Sequence, residues 1–210
     1  MTPKRTSGKY YRFDDLSILV ADDNRFVRSI LVTILKALGV GKVIQADNGE
    51  EAMAVLEVSA QMQLDVKEVD VVFADHLMAP GDGLELLRWI RTHESDKVKF
   101  LPFIMMSGEA DYRSVTAARD VGVTEYLAKP MSVLNVASRL LAVIDRPRPF
   151  VRAPGYFGPD RRRQTLPFDG ADRRVMTEEG VRLVDEGEHV VVEPQAEREP
   201  GDAPQQETEA

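Results

Sequence analysis

From Leu16 to about Asp145 the chain alternates short apolar runs with segments of helical period, and this alternation leaves few folds open. The runs are LSILVA (16–21), KVIQA (42–46), VDVVFAD (69–75), FLPFIMMS (100–107) and VTEYLA (123–128). Between them, Arg25 to Leu38 carries Phe26, Ile30, Ile34 and Leu38 at every fourth place, which predicts one buried helical face ending at Gly39 and Gly41. Asn48 is placed to cap a second helix with Ala52, Met53, Val55 and Leu56, and Asp82 a third, from Gly83 to about His93, with Leu84, Leu87 and Ile90 inward. Tyr112–Asp120 and Ser132–Ile144 read as the fourth and fifth helices. Five strands alternating with five helices predict an α/β fold, a parallel sheet between helical layers wound by right-handed crossovers.

Each of four runs stops at a residue with chemical potential: Asp22 and Asp23 after the first, Asp75 after the third, Ser107 after the fourth, Lys129-Pro130 after the fifth. Taken singly, an Asp after a strand is most often a helix cap, Ser107-Gly108 an ordinary turn and Lys129 a surface cation. Parallel strands, however, bring all of them to one edge of one sheet, where open α/β folds bind ligands. A carboxylate such as Asp75 can attack phosphorus if the incoming negative charge is neutralised. Asp22 and Asp23 offer the hard oxygen ligands that Mg²⁺ prefers, Lys129 a second positive charge, and Ser107 a hydroxyl that can donate to a phosphoryl oxygen.

Composition narrows the setting. The chain has 210 residues, no cysteine and a net charge of -8, which excludes disulfides, thiolate metal sites and a cysteine nucleophile and argues against a generally basic nucleic-acid surface. No apolar run approaches the roughly 18 residues of a membrane span. The N-terminal MTPKRTSGKYYRFDD lacks the apolar stretch of a secretory signal, so a cytoplasmic protein is expected, with no membrane insertion.

The ordered set of residues resembles the receiver domain of bacterial two-component response regulators, of the stand-alone, chemotaxis-regulator-like type, over nearly all of 16–146. Asp22-Asp23 is similar to the family's acidic pair, Asp75 to its phosphoacceptor, Ser107 to its Ser/Thr switch, Tyr126 to its aromatic switch, and Lys129-Pro130 to its Lys-Pro motif. The resemblance implies a doubly wound, flavodoxin-like sheet in strand order 2-1-3-4-5. It also implies Mg²⁺-dependent phosphorylation of Asp75 by a histidine kinase or phosphotransfer protein. Asp23, Asp75 and the Leu77 backbone carbonyl would hold the metal directly, and Asp22 mainly through water. Ser107 and Lys129 would be drawn to the phosphoryl group and Tyr126 would swing inward, remodelling the face of the fourth helix, fifth strand and fifth helix for a downstream protein. Such a protein is a phosphoacceptor that assists its own chemistry rather than an enzyme acting on others. The Lys129-Pro130 bond is often cis in this family. The loop HLMAPGDG departs from the family pattern, with Ala79 where proline is usual and Pro80 one place later. Leu77 and Glu109 resemble positions that tune the lifetime of the phosphoryl group.

Residues 1–15 read as an extension, 147–174 as a Pro/Arg-rich segment and 175–210 as an acidic, disordered tail, so no second globular domain is expected. The Pro/Arg-rich segment holds a short repeat: Tyr156-Phe-Gly-Pro-Asp-Arg-Arg162 is echoed by Phe168-Asp-Gly-Ala-Asp-Arg-Arg174, suggesting two equivalent docking elements. Output is expected through protein contact or onward transfer of phosphate. The alternative is that the receiver regulates binding of nucleic acid or an acidic partner by 150–174, where arginines stand beside Tyr156, Phe157 and Phe168. Nucleic acid is the less expected partner, because the six arginines of 151–174 precede a strongly acidic stretch. A haloacid-type phosphatase would need a second Asp where Leu77 stands, and a flavin or nucleotide binder a Gly/Ser/Thr-rich loop that ADDNRFVRS does not supply.

Overall fold

A computed structural model describes residues 13–61, 69–108, 112–161 and 182–184. Its centre is a five-stranded parallel sheet in the order β2-β1-β3-β4-β5, formed by β1 (Ser17–Ala21), β2 (Lys42–Ala46), β3 (Val71–Asp75), β4 (Phe103–Ser107) and β5 (Glu125–Ala128). The helices are α1 (Arg25–Ala37), α2 (Gly49–Gln61), α3 (Gly83–Thr92), the short α4 (Asp96–Lys99), α5 (Tyr112–Val121) and α6 (Val133–Asp145).

All residues of β1, β3 and β4 are buried, because helices cover both faces of the sheet. Strand alternation deals their side chains to two cores. Leu19, Val72, Phe103 and Met105 pack with Leu56 of α2, Leu86, Leu87 and Ile90 of α3, and Ala118 of α5. Ile18, Val20, Phe73 and Ile104 face the other way, onto Leu31, Ile34 and Leu35 of α1 and Val136, Leu140 and Val143 of α6. The α3 start is closed by a capping box in which the Asp82 carboxylate accepts from Glu85 N–H and the Glu85 carboxylate accepts from Asp82 N–H. Asn48 caps α2 as expected, accepting from Glu51 N–H.

Three features differ from the sequence reading. The buried stripe of α1 is Arg28, Leu31, Ile34 and Leu35, while Phe26 is 74% exposed and Ile30 lies at the surface. Helix α4 intervenes before β4, so Phe100 and Leu101 serve as a cap and a turn instead of opening the strand. Beyond α6, where no element was expected, β6 (Phe150–Ala153) and β7 (Tyr156–Pro159) form an antiparallel hairpin, and β8 (Arg182–Val184) pairs with the other edge of β6. The second repeat copy, Phe168–Arg174, and the acidic residues from 185 onward lie outside the described residues.

The hairpin is fastened to the base of the sheet, at the end where the strands begin. Phe150 and Phe157 pack against Phe100 with ring centroids 4.8 and 5.1 Å away. Beneath them lies Arg91, buried in α3, whose guanidinium donates to the carbonyls of Lys99, Leu101 and Gly122 and stands 5.0 Å from the Phe150 ring centre. Burial lowers the Arg91 pKa to about 9, which leaves it charged at neutral pH. Arg148 donates to the carbonyls of Thr124 and Asp160, and Arg161 pairs with Asp120 while lying over the Tyr156 ring. Gly122, with a φ of +101°, sits against Gly158, where a side chain on either residue would collide with backbone.

Candidate functional site

The register of the sheet places Ala21 beside both Ala46 and Ala74, Asp75 beside Met106, and Ser107 beside Ala128. The chain therefore leaves β1, β3, β4 and β5 at one edge and carries Asp22, Asp23, Asp75, Ser107 and Lys129 there together. This position lies where β1 connects outward to β2 on one side and β3 on the other, the crevice at which doubly wound sheets hold ligands.

Carboxylate oxygens of Asp22, Asp23 and Asp75 lie within 4.8 Å of one another. Asp22 is fully buried, Asp75 nearly so, and Asp23 is exposed at the rim. Lys129 spans the cluster, with Nζ 2.8 Å from Asp22 Oδ2 and 2.9 Å from Asp75 Oδ1. Its backbone N–H donates to the Ser107 carbonyl, so the lysine is aimed by the same strand end that presents the hydroxyl. Burial drives the Asp75 pKa up from the ordinary carboxylate value, aided by the nearby Asp22 charge and opposed by Lys129 and the His76 N–H. For Lys129 burial acts downward, but its hydrogen bonds to Asp22 and Asp75 outweigh it and the pKa is raised.

The donor set fits a hard divalent cation: three carboxylates, no sulfur and no imidazole among the clustered groups. Asp22 is the most constrained of the three. Its N–H donates to Ala46 O, Oδ1 accepts from Asn24 N–H, Oδ2 accepts from Lys129, and its carbonyl accepts from Arg28. The loop after β3 is also held, since His76 N–H donates to Met106 O and His76 O accepts from Gly83 N–H. Gly49 N–H donates to the carbonyls of Pro80 and Gly81, tying this loop to the start of α2. Both Ala79-Pro80 and Lys129-Pro130 are cis. Leu77 projects a side chain that is 64% exposed, whereas Tyr126, second in β5, is half-buried and packs on the core of the α2, α3 and α5 side. Glu109 lies outside the described residues.

Residues 18–141 match the response regulator receiver domain family. The chain belongs to that family. A relative, the chemotaxis protein CheY-3 of Vibrio cholerae, is 29% identical over 132 residues, 63% of this chain and 94% of its own length. The transcriptional regulatory protein GltR of Pseudomonas aeruginosa is 28% identical over 62% of this chain, a match that takes in 49% of GltR. Among solved structures, a response regulator from Chloroflexus aurantiacus is similar with a TM-score of 0.54 and 27% identity, covering 62% of this chain and 98% of that one. CheY4 of Vibrio cholerae gives 0.54 and 25%, over 61% and 98%. The receiver thus has the flavodoxin-like strand order and is a signalling module of two-component systems. No helix among the described residues is long and apolar enough to cross a membrane.

The family match stops before the hairpin, so β6 and β7 are an addition to the receiver. Of the aromatics offered for base stacking by the sequence, Phe157 is committed to Phe100 and Phe150, and Tyr156 donates its hydroxyl to Pro159 O under Arg161. Sequence reasoning missed Asn24, Arg28 and Asp47 at the rim. The available signal was Arg28 itself, a charge falling on the apolar stripe of α1.

Proposed function

We propose that Asp75 accepts a phosphoryl group from a phosphohistidine on a histidine kinase or phosphotransfer protein. The observation that carries this reading is the Lys129 ammonium held between Asp22 and Asp75 beside exposed Asp23. The Asp75 oxygen forms the new bond to phosphorus as the donor's nitrogen–phosphorus bond breaks. Asp23, Asp75 and the Leu77 carbonyl would hold Mg²⁺, with Asp22 acting through water, and the bound ion would neutralise phosphoryl oxygens. Lys129 moves from its carboxylate partners to the phosphoryl group, and the Ser107 hydroxyl donates to it from the same edge. That Asp22 already spends both carboxylate oxygens on Asn24 and Lys129 supports its indirect role.

Tyr126 then turns inward and alters the face of α5, β5 and α6, which a downstream protein reads in the cytoplasm. Passing the phosphate onward is the other output. Regulated nucleic-acid binding by 150–174 gains no support from Tyr156 and Phe157, which are occupied within the chain.

Incubation of the full chain with acetyl phosphate and Mg²⁺, followed by intact-mass measurement, should show one added phosphoryl group, lost in Asp75→Asn. Labelling that persists in the variant, or its absence from the native chain, overturns the reading.

A further inference from the structure

Arg28 is the one cation on the buried stripe of α1, and its placement is costly. Its Nε is buried and makes no hydrogen bond among the described residues. An unmet buried donor costs free energy, so packing alone does not account for arginine at this place. The two ends of its fork account for it better. One donates to the backbone carbonyl of Asp22, at the start of the β1–α1 loop, and the other pairs with the carboxylate of Asp47, in the β2–α2 loop. Asp47 is fixed in turn through its N–H to Glu51. The guanidinium therefore joins two neighbouring loops on the side of the acidic cluster away from Lys129.

We propose that Arg28 is a positioning residue for the cation site. By clamping the Asp22 carbonyl to the Asp47 carboxylate, it fixes the β1–α1 loop so that Asp23 stands in reach of a metal shared with Asp75. This rests on Asp23 and Asp75 being metal ligands. The claim concerns geometry more than charge: a planar fork meets two acceptors in fixed directions, whereas a lysine ammonium is a single point on a flexible stem. Partners that orient metal ligands from behind typically alter affinity by about 10- to 100-fold when removed.

The test is a calorimetric titration of the full chain with Mn²⁺ and with Mg²⁺, without any phosphodonor, for the native protein, Arg28→Lys and Asp47→Ala. Metal-free thermal melts of each set a titration temperature at which all are folded. Arg28→Lys should bind about tenfold more weakly, and Asp47→Ala, which removes only an exposed carboxylate, should weaken binding in the same direction by less. If the native chain binds the cations and both variants match it, Arg28 has no positioning role, even if the melts of the variants fall. If the native chain binds neither cation, the metal-ligand reading itself fails.

Discussion

A Cβ on Gly83 would lie 2.2 Å from the carbonyl oxygen of Asp75, so the start of α3 is pressed against the backbone at the end of β3. The same Cβ would meet Met105 Sδ at 2.8 Å, and Gly83 N–H already holds His76 O. The fit leaves no slack: any side chain here must displace the strand end that carries Asp75. Gly83→Ala should lower stability by about 1–3 kcal/mol, the usual range for overpacking, and slow labelling of Asp75 by acetyl phosphate. Chemical denaturation and intact-mass kinetics would check both; an alanine variant with native stability would show that the loop yields.

Removing Lys129 leaves two buried carboxylates facing each other without their common cation. Lys129→Met should therefore lose about 1–3 kcal/mol in metal-free buffer, and Mg²⁺ should recover a larger share of stability in the variant than in the native chain. Urea denaturation with and without Mg²⁺ measures this, and equal metal effects in both proteins would contradict it.

Asp75 gives a pH dependence of definite sign. Its folded pKa is raised above 3.8, so the folded chain holds that proton more tightly than the unfolded chain, and the associated stability, present below 3.8, is lost as pH rises through the folded value. Above the folded value the ionised group is then a net cost. Asp75→Asn should raise the metal-free melting temperature near pH 7, with the gain shrinking towards pH 3.8. The Lys129 contribution runs over another window: it is present below 10.5 and is lost as pH rises through the raised folded pKa. Melts of both proteins across pH would check the difference, and a variant less stable than the native chain at pH 7 would reverse the sign.

The hairpin predicts where the folded unit ends. A chain stopped after Arg146 would uncover Phe100 and deprive Arg91 of the ring that covers it. Such a truncation should melt at a lower temperature than the full chain, and Phe157→Ala in the full chain should cost about 1–3 kcal/mol, below the range for a fully buried ring because Phe157 is half-buried. Unchanged stability in both would mean the hairpin adds nothing to the receiver.

The parallel sheet and the strand-end constellation were legible because β1, β3 and β4 are unbroken apolar runs and because Asp75 and Ser107 close a strand while Asp22 and Lys129 follow one directly; the strand order came with the family resemblance. The α1 face was misread for a geometric reason. Positions four apart drift by about 40° per step on a helix of 3.6 residues per turn, so a row through Phe26, Ile30 and Ile34 winds off the buried stripe that Leu31 and Leu35 define. Arg91 could not be recognised as buried, since its acceptors are carbonyls of Lys99, Leu101 and Gly122, contributed by backbone whatever the side chains there. The hairpin escaped notice because Pro154 and Gly155 interrupt any period between Phe150 and Phe157, and their partner Phe100 is remote in sequence.

Because β6 has β7 on one side and β8 on the other, it is the central strand of its sheet, and Pro159 and Val184, both opposite Phe150, lie about 10 Å apart, two strand spacings. A single backbone cut between Arg161 and Arg182 would leave β8 joined to the receiver through its pairing to β6 and no longer through the chain.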